Sequence, residues 1–191
     1  MSSSLITQMK LNYSLLKLQR GHMEALEEIY HLMYPSIFRY SFSILRSYEE
    51  AEDVSQEVLL RIQRYASKYE KGTNPRAWIY KITKNLVITH LKKQNREIAI
   101  DKDQMEFLIN QDLIQPQADL SFVRDALNCL TEREVQVVTL HIYGGLKHYE
   151  TAEVLNLSYE KVRSIYTYAL RKVEKRLVGK YYEKDREKIK K

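Results

Sequence analysis

Residues 74–93, NPRAWIYKITKNLVITHLKK, gather the side chains best suited to chemistry on a polyanion: Arg76, Lys81, Lys84, Lys92 and Lys93, with Trp78, Tyr80 and His90 among them and no acid. Ile79, Ile82, Leu86 and Val87 recur at helical spacing, which turns Arg76, Lys81, Lys84, Asn85, Lys92 and Lys93 outward. His90, set among these cations, reads as a surface residue. Cations follow phosphates while rings stack on unpaired bases, each stacked base being worth about 1–3 kcal/mol. A helix of this kind suits single-stranded nucleic acid.

A second set lies at 158–171. A short helix from about His148 to Leu155, the turn Asn156-Leu157-Ser158 and a longer helix from Tyr159 to about Leu177 have the spacing of a helix-turn-helix. Val162, Tyr166, Ala169, Val173 and Leu177 make the inner stripe. Glu160, Lys161, Arg163, Ser164, Thr167, Tyr168 and Arg171 remain outside, a mixture that suits base edges and phosphates. Ser158 caps the helix start, beside Tyr159, and turns its positive end toward the backbone of the nucleic acid.

Covalent catalysis finds no such set. There is no Gly-rich phosphate loop, no His-Glu metal motif and no nucleophile beside a base. The five histidines lack ligand spacing, and the single Cys129 reads as core filler in a reducing compartment. No metal, no cofactor and no enzyme activity are expected.

These faces need elements to carry them. The chain has 191 residues, 44% of them hydrophobic and 29% charged, with five Gly and three Pro. That is too little turn chemistry for a sandwich or barrel and points to an all-α class. No apolar run reaches membrane-span length and no signal-peptide core is present, so a cytoplasmic protein without a membrane span is expected. The net charge of +6 is unevenly spread: 71–96 hold seven basic and no acidic residues, 97–128 two basic and seven acidic, and 161–191 twelve basic and four acidic. Two basic surfaces flank an acidic connector.

Local signals divide the chain. Leu26, Ile29, Met33, Ile37, Tyr40 and Ile44 form a core stripe with a bend expected at Pro35. Ser47 and Glu50 make a capping box for a helix to about Ser67, whose outer face carries Glu49, Glu50, Glu52, Asp53 and Glu57. Gly72 ends that unit, Asn74 caps the next and Pro75 suits its first position. Residues 97–118 read as a linker with at most a short helix near 105–109. Thr131 and Glu134 cap a further helix, which Gly144-Gly145 stop. The tail YYEKDREKIKK is expected to fray. The divisions are an extension at 1–20, a helical domain at 21–96, an acidic linker at 97–119, a helix-turn-helix domain at 120–178 and a basic tail at 179–191.

In this order, AEDVSQEVLLRIQ (51–63) and NPRAWIYKITKNLVITHLKK (74–93) resemble region 2 of bacterial extracytoplasmic-function sigma factors. Residues 127–177 resemble their region 4. The additional domain of larger sigma factors is missing between them. The resemblance implies a factor that brings core RNA polymerase to promoters. A docking motif for the β′ clamp coiled coil falls on Asp53, Gln56 and Glu57, with Leu60 a turn further on. Arg76, Trp78, Lys81, Lys84, Asn85, His90, Lys92 and Lys93 would engage the −10 element as it opens. A pocket for a flipped base is implied at 69–74. Ser158, Tyr159, Glu160, Lys161, Arg163, Ser164, Thr167, Tyr168 and Arg171 would meet the −35 element, and that domain would bind the β flap. An anti-sigma factor is a further implied partner.

Three positions depart from the family pattern. The common I-D-H-L motif reads Ile88-Thr89-His90-Leu91, the serine cap before the helix-turn-helix is Lys147, and two common recognition-helix arginines fall on Ile165 and Tyr168. A guanidinium that reads guanine is lost there. Two other readings compete: a stand-alone helix-turn-helix regulator acting as a dimer on an inverted repeat, and a recombinase, for which no nucleophile is found.

Overall fold

The computed structural model describes residues 2–100 and 127–189. Its elements are α1 (Ser2–Gln19), α2 (Ala25–Leu45), α3 (Tyr48–Tyr65), a 3-10 turn at Ala66–Lys68, α4 (Pro75–Ile100), α5 (Glu132–Ile142), α6 (His148–Leu155) and α7 (Tyr159–Ile189). The expected all-α class is what the chain adopts. The helix expected near 105–109 lies outside the described residues.

The capping signals work as their chemistry requires. Ser47 Oγ accepts from the Glu50 N–H at 3.3 Å, opening α3. Asn74 Oδ1 accepts from the N–H groups of Arg76 and Ala77 at 2.9 and 3.3 Å, opening α4. At α5 the box is reciprocal: Thr131 N–H donates to Glu134 Oε2 at 2.8 Å and Glu134 N–H to Thr131 Oγ1 at 3.4 Å. Each such cap is worth about 0.5–2 kcal/mol. Pro35 sits inside α2 without ending it, on the side away from the buried Ile29, Met33, Ile37 and Tyr40.

Two elements exceed what the sequence pattern showed. The first twenty residues were expected to be an extension, yet 2–19 are helical. Leu11, Leu15 and Leu18 are buried, at 0%, 0% and 5% exposure, while Leu5, Ile6, Met9 and Tyr13 cover the opposite side and are more than half exposed. Apolar residues on both sides cancel the periodic contrast by which an amphipathic helix is recognised. The second is α7, which continues to Ile189 instead of ending near Leu177. No proline follows Tyr159, and Gly179, the lone helix-weakening glycine there, costs only about 1 kcal/mol.

α1 packs on α2 and on the 3-10 turn, and its polar groups tie down the turn that leads into α4. Tyr69 donates its hydroxyl to Asn12 Oδ1 at 2.6 Å, and Gln19 Nε2 donates to the carbonyls of Ser67 and Tyr69 at 3.2 and 3.3 Å. Ser14 Oγ bonds to the carboxylate of Glu28 on α2. The first helix therefore positions the start of the cationic one.

α1–α4 form one helical module and α5–α7 another, and one buried cluster runs through both, beside a smaller one of Leu127, Val138 and Ala169 in the second. Leu15, Met33, Ile79, Tyr80 and Leu86 of the first belong to the same cluster as Val135, Leu140, Leu146, Val154 and Val162 of the second. At the seam the Tyr80 ring lies so close to Gly144 that a Cβ added there would stand 3.0 Å from the ring and 2.3 Å from the Leu140 carbonyl oxygen. Glycine is required at 144 by the Leu140 carbonyl, with the Tyr80 ring adding to the crowding.

Because Leu15 is wholly buried in the core that spans both modules, Leu15→Ala is expected to lower unfolding free energy by about 2–5 kcal/mol. Urea denaturation followed by circular dichroism checks it. A cost below about 0.5 kcal/mol, the level of an ordinary surface substitution, would show that α1 is not part of the folded unit.

Candidate nucleic-acid interface

The outer side of α4 carries most of the cations, but Arg76, expected to face outward, shares the face of the buried Tyr80 and Thr83, and its Nε is buried. Asn85, Lys92 and Lys93 are exposed, and Arg76, Trp78, Lys81, Lys84 and His90 are half-buried. Trp78 rests edge-on against Tyr69, ring centroids 5.5 Å apart at 68°. It is partly packing residue and partly surface, so its free side faces a groove of about 610 Å³. Burial holds the Lys84 amine below the ordinary lysine value, with Arg133 and Lys81 adding to the effect. A crowded ammonium of this sort gains when an anion arrives.

Two of these cations already have partners on the second module. Lys81 Nζ stands 2.6 Å from Glu153 Oε1 of α6. Arg76 Nη1 donates to the Gly144 carbonyl at 3.1 Å. Asn74, beyond capping α4, donates through Nδ2 to Glu150 Oε1 at 2.5 Å. The other oxygen of Glu150 accepts from the Lys147 N–H at 2.6 Å, so the glutamate stabilises the start of α6 although no serine precedes it. Sequence reasoning found Asn74 as a cap and Lys147 as a missing one. Glu150 and Glu153 were not found, because contacts between residues more than seventy positions apart leave no periodic trace.

The acidic helix α3 presents Asp53, Gln56 and Leu60 as exposed residues and Glu57 as half-exposed. Their spacing places all four on one stripe. Glu57 Oε1 is bonded by Arg61 Nε at 2.8 Å, and Leu60 is 57% exposed, an apolar residue left among polar ones.

In the second module Asn156 closes α6 in the left-handed region at φ 53°, and Ser158 Oγ accepts from the Lys161 N–H at 3.2 Å to open α7. Ser158, Tyr159, Glu160, Lys161, Arg163, Ser164, Thr167, Tyr168 and Arg171 are all exposed. Six of them, from Glu160 to Arg171, line a shallow groove of about 460 Å³. Ile165 is half-buried against the core. The Tyr168 ring lies 4.8 Å from Lys172 Nζ, which also pairs with both oxygens of the buried Glu134 at 2.9 Å. Burial pushes the Glu134 carboxyl up, but the bonds from Lys172 and Thr131 outweigh it and leave the group below the ordinary value. Sequence reasoning took Glu134 as a cap only.

His141 and His148 meet at 4.7 Å between ring centroids, with Tyr166 4.5 and 5.0 Å from them. Burial holds His141 below the ordinary histidine value, and repulsion from His148 adds to that, against an opposing pull from Glu150. Among the described residues no three His, Cys, Asp or Glu side chains gather in a set that could hold a metal, and no helix is long and apolar enough to cross a membrane.

Against this geometry the comparisons with known proteins are decisive. Residues 29–97, from early α2 through α4, match the model of sigma-70 region 2, and 126–175 match that of sigma-70 region 4. The RNA polymerase sigma factor SigV of Bacillus subtilis is 30% identical over 121 residues, covering 61% of this chain and 69% of that protein. This chain belongs to the extracytoplasmic-function group of the sigma-70 family. The sigma factor is also similar to the extracytoplasmic-function factor SigM of Bacillus subtilis, 22% identical over 144 residues, which cover 73% of this chain and 87% of that one. Its fold matches that of the sigma factor RpoE in complex with the anti-sigma factor NepR from Bartonella quintana, with TM-score 0.70, 21% identity, and coverage of 79% and 95%. It also matches CnrH in complex with the cytosolic domain of CnrY, with TM-score 0.68, 17% identity, and coverage of 89% and 98%. The stand-alone regulator is not favoured, since a region 2 match accounts for the first module.

The lowered His141 value gives this sigma factor a pH dependence. A base whose folded-state pKa is lowered takes its proton more readily when unfolded, so stability is full above the unfolded value near 6.5 and falls as pH drops through it. The thermal midpoint is expected to fall between pH 7.5 and 5.5, and to fall less in His141→Gln. Equal slopes in the two proteins, measured by scanning calorimetry, would remove His141 from the account.

Proposed function

We propose that this sigma factor docks on core RNA polymerase through the outer stripe of α3, separates the −10 element over the outer side of α4 and reads the −35 element with α7. The observation that carries the reading is the pairing, on the outer side of α4, of Trp78 and Lys81 beside a groove at the 69–74 turn, with Lys92 and Lys93 exposed further along the helix. Cations on that side track the displaced strand while Trp78 stacks on or wedges against a base that has left the duplex. Strand separation follows from preferring single-stranded DNA, without a covalent step. The factor acts as a recognition protein rather than an enzyme, in the cytoplasm where the polymerase works.

Asp53, Gln56 and Glu57 would meet the basic β′ clamp coiled coil by charge complementarity, with Leu60 adding an apolar anchor. The second module would bind the β flap, and the acidic connector would lie along the RNA exit path. For −35 reading, Arg163 and Arg171 supply cations, Glu160 an acceptor and Tyr168 an aromatic edge. An anti-sigma factor fits as a partner, since similar folds have been solved with one bound. Run-off transcription by core polymerase on a promoter library, with intact and scrambled −10 elements, tests the whole reading.

Trp78→Ala and Lys81→Glu are expected to fold and to bind core normally while lowering open-complex formation, Trp78→Ala by about 5- to 100-fold, the equivalent of one stacked base, and Lys81→Glu through the loss of a cation. Permanganate footprinting measures this, and wild-type melting by both variants would refute the role of α4. Asp53→Lys combined with Gln56→Ala should weaken capture of core about tenfold or more, through lost charge complementarity. Unchanged affinity in a fluorescence-anisotropy titration would count against α3.

A further inference from the structure

The groove beside Trp78 has two walls of opposite character. One is Asn74, Trp78 and Lys81; the other is Tyr149, Glu150 and Glu153 from α6. Carboxylates accept hydrogen bonds from cations and amides as phosphate oxygens do, and a phenol ring is flat like a base. Here Glu153 receives Lys81 at 2.6 Å and Glu150 receives Asn74 at 2.5 Å, while Tyr149 stands 56% exposed at the groove. We propose that α6 is an internal stand-in for the displaced DNA strand: in the free chain its two carboxylates and Tyr149 occupy the surface of α4 that the −10 strand takes in the open complex. This rests on the assignment of α4 to the −10 element made above.

The arrangement is one that DNA can displace. The side chains of Lys81 and Glu153 are 42% and 62% exposed, and an ion pair so solvated contributes little. Its role is to set a threshold. Arg76, bonded to the Gly144 carbonyl, and the buried seam at Tyr80 and Gly144 hold α6 where its acids meet the cations. For α4 and α7 each to reach its own promoter element, docking on polymerase would part the modules at the seam, and the stand-in would leave. The free factor then has little affinity for stray single strands, and gains it only once docking on polymerase has parted the modules.

Glu153 is the residue to change, because it is exposed and caps nothing, whereas Glu150 also holds the start of α6. The full chain, without polymerase, is titrated with a fluorescein-labelled single-stranded −10 oligonucleotide taken from the run-off library, and with its scrambled version. Glu153→Gln is expected to tighten −10 binding about two- to fivefold and Glu153→Lys about tenfold, with a smaller gain on the scrambled strand. Run-off with saturating core should stay within about twofold of wild type, since docking has already parted the modules. An unchanged affinity, or an equal gain on both strands, would overturn the stand-in, and normal run-off in the same variants would leave the function standing. Failure of wild-type run-off would instead remove the −10 assignment itself. Glu153→Asp, which withdraws the carboxylate by one methylene, is the second variant and should fall between wild type and Glu153→Gln.

Discussion

The apolar seam at which Tyr80 packs on the backbone of Gly144 is the constraint on which the rest depends. A helix that offers cations and a tryptophan on one side has only its other side to hold it in place, and α4 uses that side fully: Ile79, Tyr80, Leu86 and Val87 are buried. Each such side chain contributes about 1.5–3 kcal/mol when taken from water. The seam extends this burial into the second module, so the position of α6 over the cations is set by close packing, which polar contacts alone could not do. Interiors of this density have discrete arrangements and do not slide continuously. The two modules are therefore either packed or parted.

Polar interactions in the molecule fall into two grades. Glu134 is nearly buried and accepts from Lys172, from the Thr131 backbone and, through its own N–H, completes a cap. That network fixes α5 against α7 and belongs to the architecture. The pair between Lys81 and Glu153 is solvated and replaceable, as is that between Arg61 and Glu57. Strong charge pairing thus lies where geometry must persist and weak pairing where partners exchange, the distribution a protein needs if it is to pass from one polyelectrolyte contact to another.

Much of this was legible in the residues. The caps at Ser47, Asn74 and Thr131 fixed three helix starts because a side-chain oxygen three residues ahead of an N–H is a local, short-range signal. The inner stripe Val162, Tyr166, Ala169 fixed the orientation of α7, and with it the exposed positions from Ser158 to Arg171. α1 was not legible, since Leu5, Met9 and Tyr13 outside mask the periodicity of Leu11, Leu15 and Leu18 inside. The far end of α7 was misread from its charge density, although residues such as Glu, Lys and Arg favour helix. The approach of α6 to α4 was invisible for a different reason: Glu153 and Lys81 are each ordinary surface residues, and only the fold of both modules brings them together. The groove beside Trp78 was anticipated on its 69–74 side and unanticipated on its α6 side.

Trp78 is the lone tryptophan among fifteen tyrosines, and its indole lies between the Tyr69 edge and the open groove. Light absorbed by the phenols and passed to that indole is emitted from the wall of the groove itself. The molecule thus contains its own optical probe. An exchange of occupants of the kind proposed above would shift its ultraviolet emission in real time, with no dye attached and no residue altered.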